Sequence, residues 1–248
     1  MGYIQSGVTN DLVVVDRTPA AMRATLRPNQ VTGSYRASFI TGTPHTTLAN
    51  TVTFSAVTSS NGILFTFKNS GSGLCLIKSV QIGIQIITTG FTTTARPSFS
   101  LYRVPTSFTQ GTGGGTSYGV GGTISITGKK RTSMPTSEAS AVMYVSGTGI
   151  TGDTATTEDT TAFATVILGG AAASVTTFPA AGLRDFFTAY NSASPGFIDQ
   201  GNASGYPLTL AADEGFRIKN DAAFIGGTTG AGTASLVVTV EWDEATAY

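Results

Sequence analysis

Charge is what this chain has least of. Lys, Arg, Asp and Glu make up 11% of its 248 residues, against about 25% in an ordinary soluble domain. The 14 basic residues balance the 14 acidic ones. Nucleic acid binding needs clustered positive charge to neutralise phosphates, so no nucleic-acid partner is expected. Long hydrophobic runs are also missing. Nothing approaches the roughly 20 apolar residues of a membrane helix, and no membrane partner is expected. Leu12-Val13-Val14-Val15 is too short for a signal h-region, and Met1-Gly2-Tyr3-Ile4-Gln5 lacks a basic start. The expectation is synthesis in a cytoplasm without export.

Residues that carry chemistry are equally scarce. The single cysteine, Cys75, excludes an intramolecular disulfide and a multi-cysteine zinc site. Its setting, Leu74-Cys75-Leu76-Ile77, predicts a small buried hydrophobe. The single histidine, His45, has no second ligand at metal-binding spacing, and there is no Gly-x-Ser-x-Gly elbow. Glu158-Asp159 and Asp213-Glu214 are adjacent acidic pairs whose side chains diverge on extended backbone. The Gly-rich stretch 111–122 is not a phosphate loop. Gly128-Lys129-Lys130 has Thr123 where the motif requires glycine, and no Ser or Thr follows Lys129. We therefore expect no cofactor, no metal and no enzymatic activity.

What is present is a β pattern. Apolar residues make up 40% of the chain and sit in short dense runs that can offset chain entropy. Thr51-Val52-Thr53-Phe54-Ser55-Ala56-Val57 alternates with period two, and Ile63-Leu64-Phe65-Thr66-Phe67 follows an Asn61-Gly62 turn signal, which reads as a hairpin. In 74–88, Val80, Ile82, Ile84 and Ile86 share one face, with Gln81, Gly83 and Gln85 on the other. Uncharged Gln and Gly there suggest a face covered by protein. A second hairpin-like unit runs from this segment to Ser98-Phe99-Ser100-Leu101-Tyr102-Arg103-Val104. Weaker strands are read at 123–126, 141–145 and 163–168.

Leu183, Phe186, Phe187 and Tyr190 follow helical spacing, which predicts a short helix or helical turn in 180–191. Tyr206-Pro207-Leu208-Thr209-Leu210 and Glu214-Gly215-Phe216-Arg217-Ile218-Lys219-Asn220 read as strands, with Ala211-Ala212-Asp213 turning the chain between them. Leu236, Val238, Val240 and Trp242 line one face of a closing strand. Short strands, Gly-rich turns and almost no helix predict an all-β, two-sheet sandwich with a jelly roll as the leading topology. Greek-key and immunoglobulin-like sandwiches stay open.

The division expected is an extended N-terminal arm or edge segment over 1–50 and one sandwich domain over 51–248, with a long Gly-rich loop near 105–123. The first segment has weak strand signals, and Pro19 and Pro28 limit regular pairing. A strand tucked into the domain's own sheet is the alternative. Arg17, Arg23 and Arg27 on this segment, with Lys129, Lys130 and Arg131, are the candidate partner-binding residues. The second cluster reads either as a contact to an acidic patch or phosphate, or as a solvated turn.

Two stretches resemble a family of tailed-bacteriophage structural proteins. One is Val13-Val14-Val15-Asp16-Arg17-Thr18-Pro19-Ala20-Ala21-Met22-Arg23-Ala24-Thr25-Leu26-Arg27-Pro28. The other is Pro207-Leu208-Thr209-Leu210-Ala211-Ala212-Asp213-Glu214-Gly215-Phe216-Arg217-Ile218-Lys219-Asn220 with Val238-Thr239-Val240-Glu241-Trp242. Lys130-Arg131-Thr132-Ser133-Met134-Pro135 is a weaker third. The resemblance implies a virion component, of the head decoration or cement type, binding the major capsid protein and itself as a dimer or trimer. The alternative is a tail or fibre component that binds a host receptor or glycan, with Tyr118, Tyr144 and Tyr206 as candidate sugar-stacking rings.

Overall fold

Fourteen strands and no helix are found among the described residues of the computed structural model: 3–5, 12–14, 31–41, 52–53, 62–86, 98–105, 107–145, 149–154, 158–167, 184–188, 208–221 and 233–246. In chain order the strands are β1 (Tyr3–Gln5), β2 (Leu12–Val14), β3 (Val31–Ile40), β4 (Val52–Thr53), β5 (Ile63–Asn69), β6 (Leu74–Ile86) and β7 (Ser98–Val104). They continue with β8 (Gly115–Gly119), β9 (Ala139–Tyr144), β10 (Ala164–Ile167), β11 (Arg184–Thr188), β12 (Leu208–Leu210), β13 (Gly215–Asn220) and β14 (Thr233–Ala245). Apart from a small β1–β2 pair, they form two antiparallel sheets packed face to face. One, the β13 sheet, runs β10-β7-β13-β5-β9-β8. The other, the β14 sheet, runs β11-β6-β14-β3, with β12 also on β6 and β4 also on β14. The all-β sandwich expected from the sequence is the architecture.

Period-two alternation explains why these residues form this core. Leu236, Val238, Val240 and Trp242 of β14 are fully buried, as are Phe65 and Phe67 of β5 and Phe216 and Ile218 of β13. Strand β6 changes phase along its length: Cys75 and Ile77 point inward, then Val80 and Ile82 do. A bulge makes this possible. Glu241 pairs with Ser79 and Trp242 with Ile77, which leaves Lys78 as the extra residue. Between the sheets the rings of Tyr35, Trp242, Phe67, Phe216, Phe65, Phe39 and Tyr118 touch in sequence, with centroids 5.1–6.0 Å apart.

Several local expectations are corrected. The two hairpins do not form, because each pair of strands is divided between the sheets. β4 joins β14 while β5 pairs with β13 and β9, and β6 joins β14 while β7 pairs with β13 and β10. The turn at 211–213 likewise links β12 on β6 to β13 in the opposite sheet. Turn residues encode reversal of the chain, and a sandwich uses such reversals to cross between layers. The helix expected in 180–191 is replaced over 184–188 by β11, an edge strand on β6 with Phe186 facing the core. Four apolar residues at helical spacing could not outweigh a free ladder on β6. Segment 123–126 is not a strand, although Tyr118 and Ile124 form a parallel bridge.

The long loop near 105–123 is also corrected, since its second half is β8, paired with β9. Glycine serves there as a packing residue. At Gly119, which has φ +81°, a side chain would sit 2.1 Å from the Ala139 carbonyl oxygen. Within 1–50, Val31–Ile40 is the edge strand of the β14 sheet and buries Tyr35 and Phe39, so the sandwich begins ahead of residue 51.

Trp242 is the ring that links the two sheets most directly, stacked on Tyr35 at 5.4 Å and edge-on to Phe67 at 5.2 Å. Trp242→Ala is expected to cost about 3–5 kcal/mol of unfolding free energy, read by urea denaturation. A cost below about 1 kcal/mol would remove this ring from the centre of the core.

Candidate functional site

The edges of the sandwich determine where a partner could dock. Leaving β8, the chain lies first against β8 itself, with Gly119 N–H donating to the Ile124 carbonyl at 2.8 Å. It then crosses to the other sheet and runs along β3. Arg36 N–H donates to the Gly128 carbonyl at 2.8 Å and Lys130 N–H to the Ser34 carbonyl at 2.9 Å. At Gly128 a side chain would meet the Arg36 carbonyl oxygen at 2.0 Å, so only glycine allows this approach. Segment 120–138 is thus a strap that covers two strand edges which would otherwise invite pairing.

Glu244 secures the far end of the strap. Its alternation places it on the inner face of β14, at the mouth of the core. Ser137 Oγ donates to Glu244 Oε1 at 2.6 Å, Glu138 N–H at 3.0 Å and Trp242 Nε1 at 3.2 Å. The Tyr35 hydroxyl adds a bond to the Pro135 carbonyl at 3.1 Å. Burial, with the nearby Glu244 and Glu138 carboxylates, pushes the Tyr35 pKa up to about 12, so its hydroxyl remains a donor. Beside Glu244 lies a groove of about 340 Å³ lined by Thr32, Asn69, Leu74, Pro135, Thr136 and Glu138. Glu244 accepts three hydrogen bonds there.

The strap carries Lys129, Lys130 and Arg131. Lys130 Nζ is paired with Glu241 of β14, Lys129 is half-buried and Arg131 is exposed. Arg36, exposed on β3, belongs to the same margin, and the sequence reading missed it. Its position between inward-facing Tyr35 and Phe39 was the available signal. Arg17, Arg23 and Arg27 lie outside the described residues, as does His45. Cys75 is fully buried among core residues, and burial raises its thiol pKa well above the ordinary value. Among the candidate sugar-stacking rings, Tyr118 and Tyr144 are 6% and 0% exposed and present no face to a glycan. Tyr206 is outside the described residues.

Burial also dominates the outer face of the β13 sheet. Segments 107–113 and 149–154 lie over β5 and β13, which explains why β5 is buried on both faces. Their attachment centres on Arg217, whose side chain is 9% exposed. Its Nε donates to Asp153 Oδ2 at 2.9 Å and its Nη1 to Glu158 Oε2 at 3.2 Å, and its guanidinium sits 5.1 Å from the Phe108 ring centroid. Asp153 Oδ1 accepts the Gly111 N–H, and Glu158 also pairs with Lys219. The adjacent Asp159 turns to Arg103, while Asp213 pairs with Lys68 and Glu214 caps the Ala211 N–H, so both acidic pairs diverge as expected. Burial raises the Asp153 pKa above 3.8, opposed by the Gly111 N–H and Arg217, with neighbouring Glu158 adding to the rise.

Among the described residues no group of His, Cys, Asp and Glu could hold a metal, and no helix is long and apolar enough to cross a membrane. Comparison with protein-family models, curated proteins and solved structures finds no significant match.

Removing the cation from this cluster would leave two carboxylates facing each other at a largely buried site. Arg217→Ala should cost about 3–5 kcal/mol in urea unfolding, and Arg217→Met less than Arg217→Ala because the stem still packs on Phe108. Equal costs would contradict the role of the Phe108 contact. A carboxyl whose folded pKa is raised contributes stability that is complete below the unfolded value and is lost as pH rises through the folded one. The stability difference between wild type and Asp153→Asn should therefore shrink as pH rises from below 3.8. A difference that widens over that range contradicts the burial argument.

Proposed function

We propose that this chain is a structural component of a tailed-bacteriophage virion, a decoration protein that binds and stabilises the major capsid shell as a homo-oligomer. We further infer a jelly roll, and the strand order is the observation that carries both readings. In chain order β3, β5, β6, β7, β10, β11 with β12, β13 and β14 fill the two four-strand rows β3-β14-β6-β11 and β5-β13-β7-β10. This order supports a jelly-roll winding of eight strands, with β8 and β9 inserted between β7 and β10. Jelly rolls recur in viral capsid and lectin domains, although fold alone does not assign function.

Three features favour docking on a shell. The surface has few charges and balanced ones, so it neither repels copies of itself nor attracts polyanions. The strap and the segments over β13 brace the sandwich internally, as suits a clamp under mechanical load. The burial of Tyr118 and Tyr144 removes most support for a glycan-binding tail component. On this reading the protein is made in the bacterial cytoplasm and ends on the particle, where binding across capsid subunits stabilises the assembled state by mass action. The N-terminal segment with Arg17, Arg23 and Arg27 is the proposed shell contact.

Particles lacking the protein should take up the purified chain, measured by co-sedimentation, and withstand heating better once they have done so. Deleting residues 1–30, which removes β1 and β2 and ends ahead of β3, should abolish uptake while leaving the sandwich folded, read by its cooperative urea unfolding. Undiminished uptake of the deletion would move the contact elsewhere, and no uptake of the full chain would overturn the assignment. Immunogold label on tails instead of heads would do the same.

A further inference from the structure

The two strand orders end in four edge strands, β10 and β8 in one sheet and β11 and β3 in the other, and three of the four are guarded. The strap lies along β8 and β3, with Gly119 N–H on the Ile124 carbonyl and Arg36 N–H on the Gly128 carbonyl. Strand β11 carries Arg184 and Asp185, and its register on β6 shifts between Asp185 and Phe187. Charges and bulges of that kind discourage pairing with another chain. Strand β10 has none of these devices. Ala164-Thr165-Val166-Ile167 holds no charge, glycine or proline, and its register on β7 is unbroken. Among the described residues no strand pairs with its other side. Its outward residues are also accessible. Ile167 is 56% exposed, Phe163 just ahead of the strand is 49% exposed, and Thr165 between them is exposed as well. Two of the four large hydrophobic residues exposed among the described residues therefore sit on this one edge.

The exposed side chains are symmetric about Thr165, with one large apolar residue two positions to either side. A two-fold axis normal to the sheet and centred on Thr165 brings a second β10 alongside in antiparallel register. Phe163 then lies opposite Ile167 of the second copy, Thr165 opposite Thr165, and Ala164 opposite Val166. Aromatic with β-branched and Thr with Thr are cross-strand pairs that stabilise antiparallel ladders. Thr165 Oγ1 already shares a hydrogen bond with Ser100 Oγ at 2.8 Å, and a hydroxyl can both donate and accept, so it retains capacity for its counterpart. No charge on β10 opposes the approach. The pattern fits itself, which singles out a second copy of this chain as the occupant. Two-fold interfaces use one patch on both subunits and close after two copies.

We infer that a second copy of this chain pairs edge to edge on β10, joining two six-stranded sheets through Phe163, Thr165 and Ile167. This pairing supplies a surface for the homo-oligomer named above and does not depend on the virion reading. A ladder this short belongs at the weak end of specific interfaces. Sedimentation velocity on the full chain should therefore move from the mass of one copy to that of two between roughly 1 and 500 µM. Thr165→Lys and Thr165→Glu each set like charges opposite one another at the axis. Each should weaken association roughly tenfold or more, and Ile167→Lys should weaken it too. An equimolar mixture of Thr165→Lys and Thr165→Glu should associate again, because position 165 faces itself. Thr165 and Ile167 are exposed, so cooperative urea unfolding should persist in all three variants. Val120→Lys replaces a residue 53% exposed at a turn of the strap and should leave association unchanged. A one-copy mass throughout the range overturns the inference, as does growth beyond two copies. So does an unaffected charged variant, a mixture that stays apart, or a Val120→Lys variant that no longer associates. The readout is the mass of the free chain, so failure of shell uptake leaves these outcomes untouched.

Discussion

An unbroken run of aromatic rings, from Tyr35 through Trp242 and Phe67 to Tyr118, holds the two sheets at a fixed spacing. Area burial alone would accept many sliding arrangements of one sheet on the other. Ring quadrupoles are more selective, because stacked and edge-on contacts each satisfy a particular geometry. Tyr35 on Trp242 and Phe67 on Phe216 are stacked, and Phe67 meets Trp242 edge-on. The run enters the core from an edge strand, β3, and leaves at the opposite sheet's edge strand, β8. The strap can therefore close both edges, since the rings have already fixed where those edges lie. Glu244 depends on the same run, because one of its three donors is the Trp242 indole.

The two outer faces divide the remaining work. On the β13 sheet the chain covers itself, with Arg217 as the cation that makes a second polar layer tolerable at low exposure. Buried charge is expensive unless paired and hydrogen-bonded, and here Asp153 and Glu158 supply both. The β14 sheet keeps a face of hydroxyls, amides and matched ion pairs. The sequence expectation was a protein-covered face on 74–88, whereas the covering among the described residues lies on the other sheet and comes from the chain's own insertion between β7 and β10.

Much of the fold was legible because alternation is a local signal. Val238, Val240 and Trp242 could be placed in the core from their spacing, and Cys75 from its apolar neighbours. What alternation does not encode is partnership. Thr51-Val52-Thr53 and Ile63-Leu64-Phe65 read as consecutive strands, yet the residues that decide their partners lie in β14 and β13, far along the chain. The phase change in β6 was hidden for a related reason: Lys78 becomes an extra residue only against Glu241 and Trp242. Site legibility followed the same division. Lys129, Lys130 and Arg131 were visible as a run, whereas Arg36, Asp153 and Arg217 acquire meaning only once the sheets bring them to their partners.

Strand β14 lies between β6 and β3, and every other strand of its sheet precedes it in the chain. During translation, then, β3, β4, β6, β11 and β12 all leave the ribosome before the ladder most of them share exists. A nascent chain in that state leaves β3 and β4 without their strand partner and one edge of β6 open, which is the condition that favours chaperone capture or aggregation. The β14 sheet is consequently complete only when that one segment has arrived.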